Sequence, residues 1–421
     1  MIARITLPVA FEWPGPPVDV FRSCDRYFTD FAVSAYKPTG GATAYVDPVN
    51  GDDNQSGAID APMRTVLAAA FRIGVTNVVC RGGYYYLSET LNHTLVNKSF
   101  SITAYQDERV VFGPHEPLKW NPVIGKPGLF SVFGSAAVDV FDAAYDDECG
   151  IPSKLVKRAS AKEVLNNPGS YFIDGKTLYV QTIDARVPDR AVMPRAWIDK
   201  AAIRWSGGAS PNSSLYLQNI SLVCTARGIM CPLGLARFGT VVVNNLRIAG
   251  PVPGAICYDA IQVLGVNLIS KNTIIRYSAK DGYNIHSNSN GTPWAVLINS
   301  RSFDVGGGGM ISCNGETAHG GSRMLSIGSY HERTSGPVVC SMNAGTQHCA
   351  IGSIIMDCLG DGRLYGNLSF VATGLAKLWV IGGQDHGCDF SASVDGLAEI
   401  RYRDCEINSP MAQFNGLIEP F

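Results

Sequence analysis

The chain has 421 residues, with 34 Lys+Arg against 36 Asp+Glu and a formal charge of −2. That balance leaves no global basic field, which argues against a nucleic-acid-binding protein. Hydrophobic residues make up 46% and charged residues only 17%, which is not the composition of a disordered chain, and no stretch approaches ~18 uninterrupted apolar residues. The length allows two or three ordinary domains or one long repeat domain. The 45 glycines and the low charge favour the repeat, which is made of many short strands and turns.

Residues 1–40 carry Pro14, Pro16, Pro17 and a Gly40-Gly41 break and read as an irregular N-terminal arm. Met1 to Phe11 lacks a full apolar core and a small-residue cleavage site, so no export signal is expected there. Ala44 to Asp47 is strand-like, and Asn50 to Asn54 is a turn cluster. A Ca²⁺ set at Asp47, Asp52 and Asp53 is the rarer reading of such a turn. Val66 to Ile73 has the apolar spacing of one short helix, and strands are predicted at 76–80, 84–87, 101–105 and 110–112. The twelve cysteines, Cys24 to Cys405, form no CxxC pair and read as small buried hydrophobes in a reducing compartment. No metal or other cofactor is expected.

Four short stretches of this block carry a resemblance: Tyr45-Val46-Asp47, Gly51 to Gly57, Ala61 to Thr65, and Gly82-Gly83-Tyr84. They resemble the N-terminal caps of secreted and phage-borne right-handed parallel β-helix proteins, the pectate-lyase-like and tail-spike-like family. Ser101 to Pro114 is similar to that family's first rungs, and Asn166 to Thr182 to an insertion common in it. The resemblance covers roughly residues 45–185. It implies an all-β fold, a single-stranded right-handed parallel β-helix (a solenoid) with an N-terminal cap helix, and is nearly silent on substrate.

From 214 onward the chain must be read from its own repeats. Leu215 to Ile220 and Val241 to Ile248 open successive rungs. Asp259-Ala260-Ile261-Gln262-Val263 and Asp281-Gly282-Tyr283-Asn284-Ile285 share a register 22 residues apart. Later cognates are expected at Gly308, Ser335, Asp361 and Asp385, a step in the low to mid twenties that suits one solenoid coil. Rungs stack at ~4.8 Å, and alternation sends one set of side chains inward and the other outward. The expected divisions are the arm at 1–40, a cap with first rungs and an insertion at 41–213, the main rungs at 214–408 and a tail at 409–421.

Acids and imidazoles concentrate in 257–332. Asp259 stacked on Asp281 would raise one carboxyl pKa and supply a general acid, as glycoside hydrolysis requires of a carboxyl pair. The competing reading is a ladder of structural turn aspartates. His286 fits either an outward ligand or base or a polar turn. Asn314 to His319 follows the glycines 306–309 and is expected as a loop carrying Glu316 and His319. The same stretch is similar to one found in some phage-associated β-helix proteins, but Gly320 stands where they have a carboxylate, and that role is lost. Tyr330-His331-Glu332-Arg333 reads either as part of the site or as a polar turn with an internal Glu–Arg pair. The candidate catalytic set is therefore Asp259, Asp281, His286, Glu316, His319 and Glu332. The candidate substrate contacts are Tyr283, Asn284, Trp294, Asn314, His331 and Arg333. Walker-type and Gly-x-Ser-x-Gly motifs are absent.

Proteins of the resembled family usually handle polysaccharides, which lie outside cells, whereas this chain shows no export signal and keeps its cysteines. The expectation is a bacteriophage tail-spike or receptor-binding protein, assembled in the host cytoplasm, that binds a surface polysaccharide, with depolymerisation as a further activity if the carboxyl pair is catalytic. The arm would serve as virion attachment, with a homotrimer or other virion subunits as partners and neither nucleic acid nor membrane insertion. The alternatives are a secreted polysaccharide lyase or glycoside hydrolase and a non-catalytic virion scaffold. One departure from the spike pattern is that the rungs run to about Asn408, leaving no separate C-terminal domain.

Overall fold

A computed structural model describes the chain except Met1 and residues 92–93, 209, 232–238, 254–258, 289–290, 308–311, 360–366, 406, 408 and 413–414. Among the described residues the chain winds repeatedly through three sheets of 12, 10 and 9 strands, here sheets 1, 2 and 3. Every strand in them pairs in parallel with the equivalent strand one coil away. A typical coil runs Thr240–Asn244 in sheet 1, Arg247–Ala249 in sheet 3 and Ile261–Leu264 in sheet 2. The protein is thus nearly all β, built on long parallel sheets in a solenoid arrangement.

Strands buried on both faces lose the simple in/out alternation and read as apolar runs. Val241 and Val243 point into the solenoid core, whereas Val242 packs outward against the N-terminal arm. That arm is not irregular. Ile2–Ile5, Val20–Ser23 and Arg26–Thr29 form a three-stranded antiparallel sheet. Phe11, Val18, Val20, Tyr27 and Val33 are buried against the outer side of sheet 1, at ~1.5–3 kcal/mol for each large apolar side chain removed from water.

The corner between sheets 1 and 3 needs left-handed backbone. Asn219, Asn245, Asn272 and Asn299 supply it at φ 58°, 56°, 54° and 49°, and Asn245 Nδ2 donates to Asn219 Oδ1 at 2.8 Å. In the later coils glycine takes over, at Gly328, Gly352 and Gly382. The reason is Tyr27 of the arm: a Cβ on Gly352 would lie 2.3 Å from its ring, and one on Gly382 2.0 Å from its hydroxyl.

The 45–65 stretch is explained by one carboxylate. Asp53 Oδ1 accepts from the backbone N–H of Arg64 and Thr65 at 3.0 and 2.8 Å, and Oδ2 accepts from the Thr65 hydroxyl at 2.9 Å. Thr65 Oγ1 in turn accepts from Ala68 N and caps helix α1, Val66–Phe71. Asp47 and Asp52 likewise accept backbone N–H groups within the turn.

Three expectations need correction. The repeat step is not steady: sheet 2 residues in register are Ile261, Tyr283, Glu316, Val339, Phe370 and Ala392, with long connections before some of them. Asn314, not Gly308, is therefore the equivalent of Asp281. Asp385 lies in a strand of sheet 3, and Gly308 and Asp361 fall outside the described residues. Second, 409–421 is not a plain tail, because Pro410–Ala412 and Leu417–Pro420 extend sheets 2 and 1. Third, 113–200 folds largely outside the stack as two small sheets. Cys358 and Cys388, at equivalent places in adjacent coils, form a disulfide, which stays within the expectation that nearly all twelve cysteines are free. Nine others are free thiols, and Cys257 falls outside the described residues.

Candidate functional site

Sheet 2 divides the candidate residues between its two sides. Asp259 and Asp281 precede equivalent strands, Ile261–Leu264 and Tyr283–His286. Asp259 Oδ1 accepts from Asp281 N at 3.3 Å, and Asp281 Oδ1 accepts from Asn314 N at 2.9 Å. Each second oxygen accepts from an amide three residues on: Gln262 Nε2 donates to Asp259 Oδ2 at 2.9 Å and Asn284 Nδ2 to Asp281 Oδ2 at 3.0 Å. The repeated Asp-x-x-Asn/Gln pattern is therefore a ladder that ties three coils together, ending at Asn314. Both carboxyls are buried. Burial pushes their pKa values up; the neighbouring Asp259 adds to the rise at Asp281, and Lys280 opposes it at both. Lys280 Nζ lies 3.9 Å from Asp259 Oδ1.

Outward from this ladder stand two imidazoles. His286 and His319 are register partners on adjacent strands. Their rings stack with centroids 4.1 Å apart and planes within 2°. Thr317 Oγ1 and His319 Nε2 are hydrogen-bonded at 3.1 Å. Half-burial lowers the His286 pKa to about 4, with Lys280 adding to the effect, and that of His319 to about 3, with His286 adding to it. Both rings are neutral at pH 7. The outer face thus presents the edges of a stacked, uncharged imidazole pair, with Gln262 and Lys280 half-buried nearby and Asn284 and Thr317 buried beneath.

Glu316 is on the other side. The segment 316–319 is a strand, not a loop, so Glu316 and Ala318 point inward while Thr317 and His319 point out. Glu316 has no solvent exposure. Its carboxylate lies 3.4 Å from His348 Nε2 and 3.7 Å from His331 Nε2 and accepts from Ser329 Oγ at 3.4 Å. Burial alone would raise its pKa, but the two imidazoles overcome burial and hold it well below the usual carboxylate range. His331 Nδ1 reaches Ser302 Oγ at 2.7 Å and His348 Nε2 reaches Ser326 Oγ at 3.0 Å. This is a closed internal polar network that no polymer can enter. Glu316 and His331 are withdrawn from the site for that reason.

Tyr283 also points inward, its hydroxyl bonded to Ser270 Oγ at 3.1 Å, so it offers no stacking surface. Asn314 is buried in the aspartate ladder. Trp294 lies on sheet 1, edge-on to Trp13 of the arm at 5.9 Å. Glu332 and Arg333 belong to the sheet 3 strand Tyr330–Thr334, on a different flank. Arg333 pairs with Glu332 and, at 2.6 Å, with Asp304. The Glu–Arg pair exists, but in a strand and not a turn.

What gathers on the outer side of sheet 2 is therefore Asp259, Asp281 and Asn284, all three buried, and the half-buried His286 and His319. Gln262, Lys280 and Thr317 were missed, although the first two had a signal. Gln262 occupies the ladder position of Asn284, and Lys280 is the neighbour of Asp281. No group of three or more His, Cys, Asp or Glu suited to a metal occurs among the described residues.

No family model and no curated protein matches the chain. Among solved structures, a xylose complex of XylC is similar with a TM-score of 0.44 and 12% identity, over 90% of this chain and 68% of that one. A glycoside hydrolase gives 0.44 and 10%, over 90% and 96%. The GH136 lacto-N-biosidase of Eubacterium ramulus gives 0.30 and 10%, over 90% and 68%. Likeness this remote carries no activity across, and the site stands on its own geometry.

Proposed function

We propose that this chain is a carbohydrate-binding β-solenoid whose contact face is the outer side of sheet 2. The observation that carries the reading is the parallel His286–His319 stack. The stacked rings offer solvent their neutral edges, whose ring nitrogens can hydrogen-bond a sugar's hydroxyls, and polar side chains beside them take further hydroxyls. The half-buried Gln262 and Lys280 stand in those places. The finer reading is a right-handed β-helix of the tail-spike type with helix α1 as its cap. Parallel crossovers are right-handed in nearly all cases. Such a protein would be a virion component assembled in the host cytoplasm, as a homotrimer or with other virion subunits. The arm's apolar face is spent on its own solenoid, so virion attachment would use its exposed parts, Ile2 and Val9 among them.

Cleavage would add Asp281 or Asp259 as proton donor. The aspartate ladder favours the second reading, a site or scaffold without catalysis, because all four carboxyl oxygens already hold structural hydrogen bonds. The test is a panel of purified capsular and O-antigen polysaccharides, read for binding and for chain shortening. Wild type should bind one of them, and the His286→Ala/His319→Ala variant should not. Equal binding by that folded variant, or no binding by wild type, removes the proposal. Chain shortening that Asp281→Asn abolishes would make the protein a depolymerase.

A further inference from the structure

We propose that the groove between the N-terminal hairpin and the outer face of sheet 3 binds a carboxylate-bearing sugar unit of an acidic polysaccharide, gripped by Arg301 and Arg247. The proposal rests on the previous reading only in taking the ligand to be a saccharide; it concerns a different face.

The groove encloses about 740 Å³, with Arg26 and Phe28 of the hairpin on one wall and Arg247, Arg301 and Tyr330 on the other. That is the size range of built ligand sites. Its sheet wall is one outward column, Arg247–Ile274–Arg301–Tyr330–Ile354, in consecutive register. The two guanidiniums stand two rungs apart, ~10 Å at the strand spacing.

Three arginines face one acid, Asp25, among the groove's lining residues. Elsewhere on this flank guanidiniums are neutralised: Arg276 by Asp147, Glu148 and Asp304, and Arg333 by Asp304. Arg26, Arg247 and Arg301 form no ion pair among the described residues. Arg247 Nη1 donates only to carbonyls, those of Leu246 and Asn272, at 3.2 and 3.1 Å. Burial pushes the Arg247 pKa down, Asp146 opposing and Arg301 adding to the fall. Neither Arg247 nor Arg301 has a carboxylate within ion-pair distance among the described residues, although Asp146 acts on Arg247 from farther off, and a bound anion would stand between two like charges.

The remaining lining selects a sugar over a bare anion. Tyr330 and Phe28 supply aromatic faces, and the exposed Asn272 and Asn299 supply amides. A guanidinium fork takes a carboxylate in two parallel hydrogen bonds.

The probes are a galacturonic acid hexamer, a neutral maltohexaose and inorganic sulfate, titrated calorimetrically into the full chain. The acidic hexamer should bind, weakening as salt rises. Arg301→Ala should lose about tenfold or more in affinity, and Arg301→Lys should lose less. Arg301 is exposed, so its variant should keep the wild-type circular dichroism; Arg26→Ala, on the opposite wall, is the second variant. The His286→Ala/His319→Ala variant should keep acidic-hexamer binding. Failure of wild type to bind the acidic hexamer overturns the proposal. So does equal binding of maltohexaose, full competition by sulfate at equal concentration, unchanged affinity in both arginine variants, or loss confined to the histidine variant.

Discussion

The two sides of sheet 2 carry the same residue types and put them to opposite uses. Inside, Glu316, His331 and His348 close on one another with no solvent exposure. Outside, His286 and His319 stack on each other, half-buried, with no carboxylate paired to either ring among the described residues. Four consecutive residues, Glu316 to His319, supply both regions, because alternate side chains of a strand cross to opposite faces. A cluster of acids and imidazoles in sequence is therefore two sets in space. Only the outer one can meet a polymer.

Removing Glu316 should have the largest effect. Glu316→Ala leaves two buried imidazoles without their anion and opens a cavity, an expected cost of roughly 3–5 kcal/mol seen as a lower urea midpoint. Polysaccharide binding per folded molecule should not change. If binding is lost while stability holds, the two sides have been assigned the wrong way round.

The converse variant is His286→Ala/His319→Ala. It should reduce binding by about tenfold or more, ~1.4 kcal/mol, and move the urea midpoint little, since outward half-buried positions cost less than core ones.

Acid sharpens the contrast next. The outer histidines have folded pKa values of about 4 and 3, below the ordinary ~6.5. As pH falls below ~6.5 the unfolded chain takes up protons that the folded chain refuses, so their contribution is lost progressively down to about pH 4. Wild type should lose stability between pH 7 and 5, and the double histidine variant should lose less. Glu316 acts lower on the scale: its depressed pKa keeps its contribution intact above ~4.3, and that is lost only as pH falls toward its folded value.

Asp281→Asn should have the smallest effect. The Asp281 carboxyl is already pushed toward its neutral form by burial and by Asp259, and an amide oxygen still accepts from Asn314 N. A change within about 1 kcal/mol, neutral or stabilising, is expected in thermal unfolding. A large loss would mean that the ionised form holds the ladder.

Much of the architecture was legible in the residues. The parallel strands from 214 onward, the register of Asp259 with Asp281 and the short helix near residue 66 all follow from local rules. Turn chemistry and strand alternation act over a few residues, and stacking repeats them. The later register was not legible, because connections before sheet 2 differ in length and no local rule counts them. The arm's fold was hidden by its prolines and by the need for a partner surface. Tyr27 over Gly352 and Gly382 shows that surface at work.

By itself the sequence determined the solenoid class, the turn ladders and the neighbourhood in which acids and imidazoles gather, since each depends on residue type and short spacing. Only the tertiary structure decided which of those groups face solvent. It sent Glu316 and His331 into the core, left His286 and His319 outside and set Arg247 and Arg301 opposite the arm. The physical reason is that facing depends on strand phase and on contacts between coils, where a shift of one residue reverses every side chain.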